Sequence, residues 1–416
     1  MTNNSPGNAQ RLYFLAVSVF FIAALSFITN GCADDPTSLG LKFLPPGDTT
    51  GIKIFDSRTD TMPITFRSLR RYINTSSNNS RSSNLITGQS NNNYSSKALI
   101  KFTSLDNNHD SAVVNSAVLT LTYRNYYFPL STTDSLAPVA FDVYTVNQNI
   151  NYDQFTVDSL QTGTFGTTSQ GNYSGIPTAD TQAVNINLNT SMVKDWLEYA
   201  ANSSYPVVNN GMVLSPNASS MALKGFYSSS TNNANVRPTL TIISTKLGRT
   251  DTLIVRDGVS LSLVTGAPQV LSESFPVMAG ICYTEILKFD PRKIPSNATI
   301  NDVQVYFTLD SINSKFTSQT VKTIVPAYLT DTTGFAAEGL PNFYNGNPVA
   351  SGSNLYAFRI IYPFQRWLNG QTNYGLSLTA YNQNVNLDLF YFYNSSASDV
   401  TKRPYVIVKY TPRITP

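Results

Sequence analysis

Val114-Asn-Ser-Ala-Val-Leu-Thr-Leu-Thr-Tyr123 and Ile300-Asn-Asp-Val-Gln-Val-Tyr-Phe-Thr-Leu309 decide the fold class of this chain. In the first, Ala117, Leu119, Leu121 and Tyr123 fall on one face of an extended chain. In the second, Val303, Val305, Phe307 and Leu309 fall on the matching face. The opposite faces carry Thr120 and Thr122, or Gln304 and Thr308. A period of two with one apolar face means a half-buried antiparallel strand.

The two stretches head the same series of features, which marks an internal duplication. Each is preceded by an apolar run ending in Lys-Phe, Ala98-Leu-Ile-Lys101-Phe102 and Glu285-Ile-Leu-Lys288-Phe289. Each is followed by a candidate helix. In one, Met192, Val193, Trp196, Leu197 and Ala200 form a helical stripe that Asn189 or Thr190 can cap. The other runs from Pro363, suited to a first turn, through Trp367 and Leu368 to Gly370, suited to an end. The two tryptophans of the chain thus hold equivalent positions. Asn210-Gly211 matches Tyr374-Gly375, and Phe226-Tyr227-Ser-Ser229 matches Phe392-Tyr393-Asn-Ser395. Arg237-Pro238 and Arg403-Pro404 each open a final strand. Proline there suits a strand start, where no ladder donor is needed. Residues 72–97 read as an Asn/Ser-rich loop around a short strand near Asn84-Leu-Ile-Thr87.

Composition agrees. The chain has 416 residues, enough for two domains, with 24 Tyr, 23 Phe, one His and 13% charged residues. Aromatic and β-branched residues favour strands, and the abundant Asn, Ser and Gly favour the turns between them. The expected fold is all-β: two tandem β-sandwich domains of jelly-roll type, residues 51–245 and 246–416, each with one short helix. The formal net charge of +3 is too small to argue for nucleic acid, and Arg70-Arg71 reads as a solvated loop.

The N-terminus reads as an export signal. Arg11 precedes an apolar run from Leu12 to Ile28, which meets Thr29-Asn30-Gly31-Cys32. A small residue before a cysteine at the end of such a run resembles a bacterial lipobox, with Asn30 departing from its stricter form. Residues 1–31 are thus expected to be a signal peptide and Cys32 the lipidation site. Residues 33–50, with three prolines and two glycines, are expected to form a flexible tether. Ala33-Asp34-Asp35 resembles the surface-export signal of Bacteroidota lipoproteins. With Cys32 acylated, Cys282 is left without a cysteine partner.

The ordered series of Lys-Phe, alternating strand, helix with Trp, Asn-Gly or Tyr-Gly, Tyr-x-Ser and Arg-Pro-strand resembles the DNRLRE-type domains of secreted bacterial proteins, which look like carbohydrate-binding jelly rolls. Ser38-Leu-Gly40-Leu-Lys-Phe-Leu44-Pro45-Pro46-Gly-Asp48 is similar to the opening of an uncharacterised Bacteroidota lipoprotein family. The resemblance implies a binding module and supplies no catalytic residue. The first domain lacks the Asp-rich opening of the DNRLRE pattern.

No chemical constellation stands out. Trp196 and Trp367 read as core anchors, with sugar-stacking platforms as the competing reading. Cys282 reads as an inert buried thiol with no histidine near in sequence. The one histidine, His109, reads as part of a solvated turn and cannot make a His-rich metal site. No metal, cofactor or catalytic residue is expected. Asp-Ser or Asp-Thr followed by a small or apolar residue resembles the O-glycosylation acceptor of Bacteroidota. It makes Thr61, Ser111, Ser135, Ser159, Thr252 and Ser311 candidate modification sites. The competing reading is that such pairs make good turns. The expected function is a non-catalytic envelope lipoprotein, held on the outer membrane by its lipid and binding a glycan or a protein. The alternative is a structural part of an outer-membrane or cell-surface assembly, and a glycan hydrolase is the remaining class.

Overall fold

A computed structural model describes residues 51–413 except 61–63, 71–81, 83, 91–93, 131–134, 257, 282, 335 and 382–385; of residues 66 and 68–70 it describes the backbone. The strands are Lys53–Asp56 (β1), Ile64–Arg70 (β2), Asn84–Ser90 (β3), Tyr94–Phe102 (β4), Val113–Phe128 (β5), Val139–Thr145 (β6), Gly171–Gly175 (β7), Ala183–Asn187 (β8), Met212–Pro216 (β9), Leu223–Tyr227 (β10), Thr239–Lys246 (β11), Arg249–Val255 (β12) and Gly258–Thr265 (β13). They continue as Ser274–Met278 (β14), Tyr283–Phe289 (β15), Thr299–Thr308 (β16), Ile324–Leu329 (β17), Ala337–Gly339 (β18), Asn347–Pro348 (β19), Leu355–Arg359 (β20), Leu376–Ala380 (β21), Leu389–Tyr393 (β22) and Tyr405–Thr411 (β23). The α-helices are Thr190–Ala201 (α1) and Ile361–Leu368 (α2), with a four-residue α-helical turn at Ser57–Asp60.

The fold is all-β, and its two sandwiches repeat one strand order. In the first, β12-β11-β5 with β8 on β5 packs across one core from β10-β3-β4-β9-β6-β7, and the far end of β5 also pairs with β10. In the second, β1-β23-β16-β20-β19 faces β22-β14-β15-β21-β17-β18. Register repeats as well as order. Ala98 lies opposite Leu214 as Glu285 lies opposite Leu378, and Leu119 opposite Ile186 as Val305 opposite Phe358. The alternation read from sequence holds: Ala117, Leu119, Leu121 and Tyr123 are buried in one core, and Val303, Val305, Phe307 and Leu309 in the other. Each valine, leucine and phenylalanine among them contributes about 1.5–3 kcal/mol by leaving water.

Local chemistry sets the repeated turns. The Arg237 Nε donates to the Thr231 carbonyl at 2.7 Å, and the Arg403 Nε to the Ala397 carbonyl at 2.8 Å. Each arginine thus closes the loop that precedes its own strand, which accounts for the equal spacing from Tyr227 and Tyr393. Asn189 caps α1 by accepting from the Ser191 amide at 3.0 Å. Gly370, with φ at +89°, follows the end of α2.

The sandwiches do not divide at residue 245. β12 pairs with β11 from Leu240↔Val255 to Lys246↔Arg249, and β13 covers the whole of β4 from Gly258↔Phe102 to Thr265↔Ser95. Both strands belong to the first sandwich although they open the second repeat. In return, β1 lies beside β23, and β2 covers β15 from Ile64↔Phe289 to Arg70↔Tyr283. Phe55 is buried in the second core and Val255 in the first. The first sandwich therefore runs through residues 84–265. The second is discontinuous, taking 53–70 and 274–411, and the first is inserted into it. The expected boundaries at 51, 245 and 246 are corrected accordingly. The Arg-Pro strand ends the repeat in sequence but does not end the sandwich.

A third apolar cluster joins the two, with Ile86, Tyr126, Phe128 and Val264 from the first and Met278, Leu387, Leu389 and Tyr391 from the second. The end of β5 also bonds to the loop after β16. The Leu130 amide donates to the Phe316 carbonyl at 2.6 Å, and the Gln319 side chain to the Arg124 carbonyl at 2.9 Å. Asp388 is buried there and organises that loop. It accepts from the Thr317 amide at 2.8 Å, from the Thr317 and Thr320 hydroxyls and from the Asn386 side chain. Burial pushes its carboxyl above the ordinary 3.8, against the pull of these donors.

Residues 84–265 are expected to unfold cooperatively as an isolated fragment. Residues 51–245, which lack β12 and β13, are expected to show weak amide protection along β4 and β11 by hydrogen exchange. For Asp388 the raised folded pKa fixes the sign. Its contribution to stability is full below 3.8 and declines as pH rises through the raised value. The stability of the wild type relative to Asp388→Asn, measured by denaturant titration, is expected to increase as pH falls through that window. Asp388→Ala at neutral pH leaves buried donors unpaired and is expected to cost about 2–4 kcal/mol.

Candidate functional site

Each helix is followed by an Asn-x-Gly corner, Asn209-Asn210-Gly211 and Asn373-Tyr374-Gly375. The Asn209 side chain donates to the Phe102 carbonyl at 3.0 Å, and the Asn373 side chain to the Phe289 carbonyl at 2.7 Å. Gly211 and Gly375 have φ of +96° and +103°, and a Cβ on either would sit 2.5 or 2.6 Å from the carbonyl oxygen of Ile100 or Leu287. Only glycine fits such an approach. The corner therefore clamps the loop after the helix onto the end of the Lys-Phe strand. Asn209 and Asn373 went unnoticed in the sequence, although the repeat places an asparagine two residues before each glycine.

In the first sandwich the middle residue of this corner lies between two clefts. One, of about 710 Å³, is lined by Lys101, Asn149, Trp196, Tyr199 and Asn210 among others. The other, of about 480 Å³, is lined by Asn147, Gln170, Ser191, Asp195, Trp196 and Asn210 among others. Val208 also borders both. Asn210 is 8% exposed. Its carbonyl accepts from the Tyr152 hydroxyl at 3.2 Å, but its side-chain oxygen finds no hydrogen-bond partner among the described residues. A buried acceptor left unpaired costs about 1–3 kcal/mol, so its retention calls for a reason. The walls around it mix apolar side chains such as Leu105, Met192 and Val208 with carboxamides, hydroxyls, one carboxylate and one ammonium group. The polar groups of such a surface can exchange hydrogen bonds with a hydroxyl-rich ligand.

Trp196 and Trp367 are 2% and 4% exposed, as expected of core anchors. Trp367 stacks between Phe289 and Tyr328, with centroids 6.2 and 6.1 Å away. Trp196 borders both clefts but exposes too little of its ring to serve as a stacking platform.

His109 departs from its expected place in a solvated turn. Its side chain is 10% exposed, with Nδ1 3.0 Å from the Ser244 Oγ and Nε2 3.8 and 3.9 Å from Asp106 and Asp251. This puts a serine, a histidine and two carboxylates together. Ser244 is buried, so its hydroxyl cannot meet a substrate. The group ties the turn after β4 to the β11–β12 hairpin. Among the described residues, no three of His, Cys, Asp and Glu gather as a metal-binding group.

The candidate glycosylation residues fall into two sets. Ser111, Thr252 and Ser311 are exposed, and Ser135 and Ser159 are half-buried. The Ser159 hydroxyl accepts from the Thr156 amide at 3.2 Å and so closes a turn. Asp310, beside Ser311, is buried and accepts from the Ser274 hydroxyl and the Asn313 side chain. That turn has a structural use for its acid, as the competing reading requires. Thr61, Cys282, Cys32, the signal peptide and the tether lie outside the described residues. No family model matches this chain, and no curated protein matches it.

Proposed function

We propose that this protein is a non-catalytic lipoprotein of the cell envelope whose first sandwich binds a hydroxyl-rich ligand, a glycan, in the clefts around Asn210. The observation that carries this reading is the buried Asn210 acceptor with no partner among the described residues, set between two clefts that offer carboxamides and hydroxyls beside apolar walls. Docking a saccharide hydroxyl near it, with a small turn of the carboxamide, supplies the missing donor. The N-terminal sequence supports the envelope. An apolar run stops at Gly31-Cys32 and an acidic, proline-bearing stretch follows. Several acyl chains on one cysteine hold a protein on a membrane stably, where a single chain is marginal. Acidic residues after the cysteine favour the outer face of the outer membrane.

Residues 33–416, screened on a glycan array, are expected to bind a defined set of glycans. Asn210→Ala is expected to weaken that binding at least tenfold without lowering the thermal midpoint, because the lost group makes no side-chain acceptor bond within the fold. Binding that Asn210→Ala leaves intact would remove the clefts from the reading. Mass spectrometry of the native N-terminal peptide is expected to find Cys32 as the first residue, carrying lipid. Cys32→Ala is expected to leave an unprocessed precursor, and a mature chain that begins elsewhere would end the lipoprotein reading.

A further inference from the structure

Neither sandwich is completed by the leading strand pair of its own repeat. β12 and β13 lead the second repeat and complete the first sandwich, while β1 and β2 lead the first repeat and complete the second. The two donations differ in one respect. β12 follows β11 through the tight turn at Leu247-Gly248, so its donor is fixed by a hairpin. The second sandwich receives its donor from the opposite end of the chain.

The joint that holds this second donor is extensive. β2 makes seven consecutive register pairs with β15, Phe55 enters the second core, and Ile64 packs against it. The Ser57 hydroxyl accepts from the Val406 amide at 2.8 Å, and the Arg58 guanidinium lies 4.2 Å above the Tyr405 ring. Every one of these contacts runs between segment 54–70 and residues beyond 274. None depends on the two sides sharing a covalent chain.

We propose that a second copy of this chain can supply the same strands, so that copies join by exchanging β1 and β2 at the second sandwich. The donor and acceptor surfaces differ, which makes the contact heterologous. Two copies then close by reciprocal exchange, and more make a head-to-tail chain. A donor on the same chain acts at an effective concentration of about millimolar. The self-closed monomer is therefore the dilute form, and exchange gains as copies are crowded together. This inference does not rest on the glycan reading.

Thr65 and Lys288 lie directly opposite each other and are both exposed, so cysteines there report the joint without disturbing a core. Residues 33–416 contain every described strand and carry Cys282→Ser as background. Differently tagged Thr65→Cys and Lys288→Cys chains are refolded together at high concentration and oxidised. The expected result is a disulfide joining the two tags, well above the yield from Thr65→Cys with the exposed Lys194→Cys. The Thr65→Cys/Lys288→Cys double variant, refolded dilute, is expected to give an intrachain bond. Light scattering of the cysteine-free chain is expected to show dimers or larger species that rise with refolding concentration. An intrachain bond in the double variant, with no mixed-tag product and only monomer by scattering, would overturn the proposal. A double variant without its intrachain bond would also overturn it, because β2 would then not lie on β15.

Discussion

Strands β4 and β15 each need partners on both edges, and much of this molecule follows from how the second edge is filled. Ala98, Leu99 and Ile100 are buried, as are Ile286 and Leu287, so these strands run through apolar surroundings on both faces. A backbone amide or carbonyl left bare there costs about 1–3 kcal/mol. β13 covers β4 over eight residues and β2 covers β15 over seven. A handful of unpaired groups would exceed the 5–15 kcal/mol by which a typical domain is stable. Because each cover comes from the other repeat, the sandwiches are coupled through the same bonds that complete their sheets.

That coupling accounts for the junction between them. The chain enters at the second sandwich, crosses to the first and returns, so two connections and a shared apolar cluster bridge the pair. The end of β5 pairs with β10 and also bonds residues 316–319, and Asp388 holds that loop in shape. A buried carboxylate is an expensive organiser. Its four donors show what it does: it fixes the conformation of a loop that must offer the Phe316 carbonyl to the neighbouring sandwich.

The duplication was legible because it rests on residues that act locally. Tryptophan on a helix, arginine before proline and glycine at a clamped corner each impose their geometry within a few positions, and the chain repeats them in order. The strand exchange was not legible for a physical reason. Alternation tells which face of a strand is buried, and a one-residue slip would betray itself by exposing that face. Nothing in the alternation says which of two similar edges the strand will join. Ile64-Thr-Phe-Arg-Ser-Leu-Arg70 and Gly258-Val-Ser-Leu-Ser-Leu-Val-Thr265 share little besides strand-forming residues, so the equivalence of β2 and β13 was hidden as well. His109 was misplaced because its partners Ser244 and Asp251 come from a hairpin remote in sequence. The clefts, too, depend on packing between α1, the loop after it and residues 145–170, which no single motif announces.

Two copies of one sandwich in a single chain need not stay alike, and these have parted at the corner that follows the helix. The first repeat has Asn210 there and a helix of twelve residues; the second has Tyr374 and a helix of eight. Tyr199, which lines the larger cleft, sits in the added length of α1. In the second sandwich, α2 instead carries Arg366, whose guanidinium lies 4.9 Å over Tyr328 and 5.1 Å over Tyr362 and 3.3 Å from Glu338, occupying its own aromatic surface. The segment that leads toward the proposed lipid also enters the second sandwich, through β1. One copy thus holds the chain's leading strands, and the other keeps a polar corner between two clefts. A duplication that exchanges its leading strands permits this division: neither repeat completes its own sandwich, so the two can diverge at this corner and stay joined.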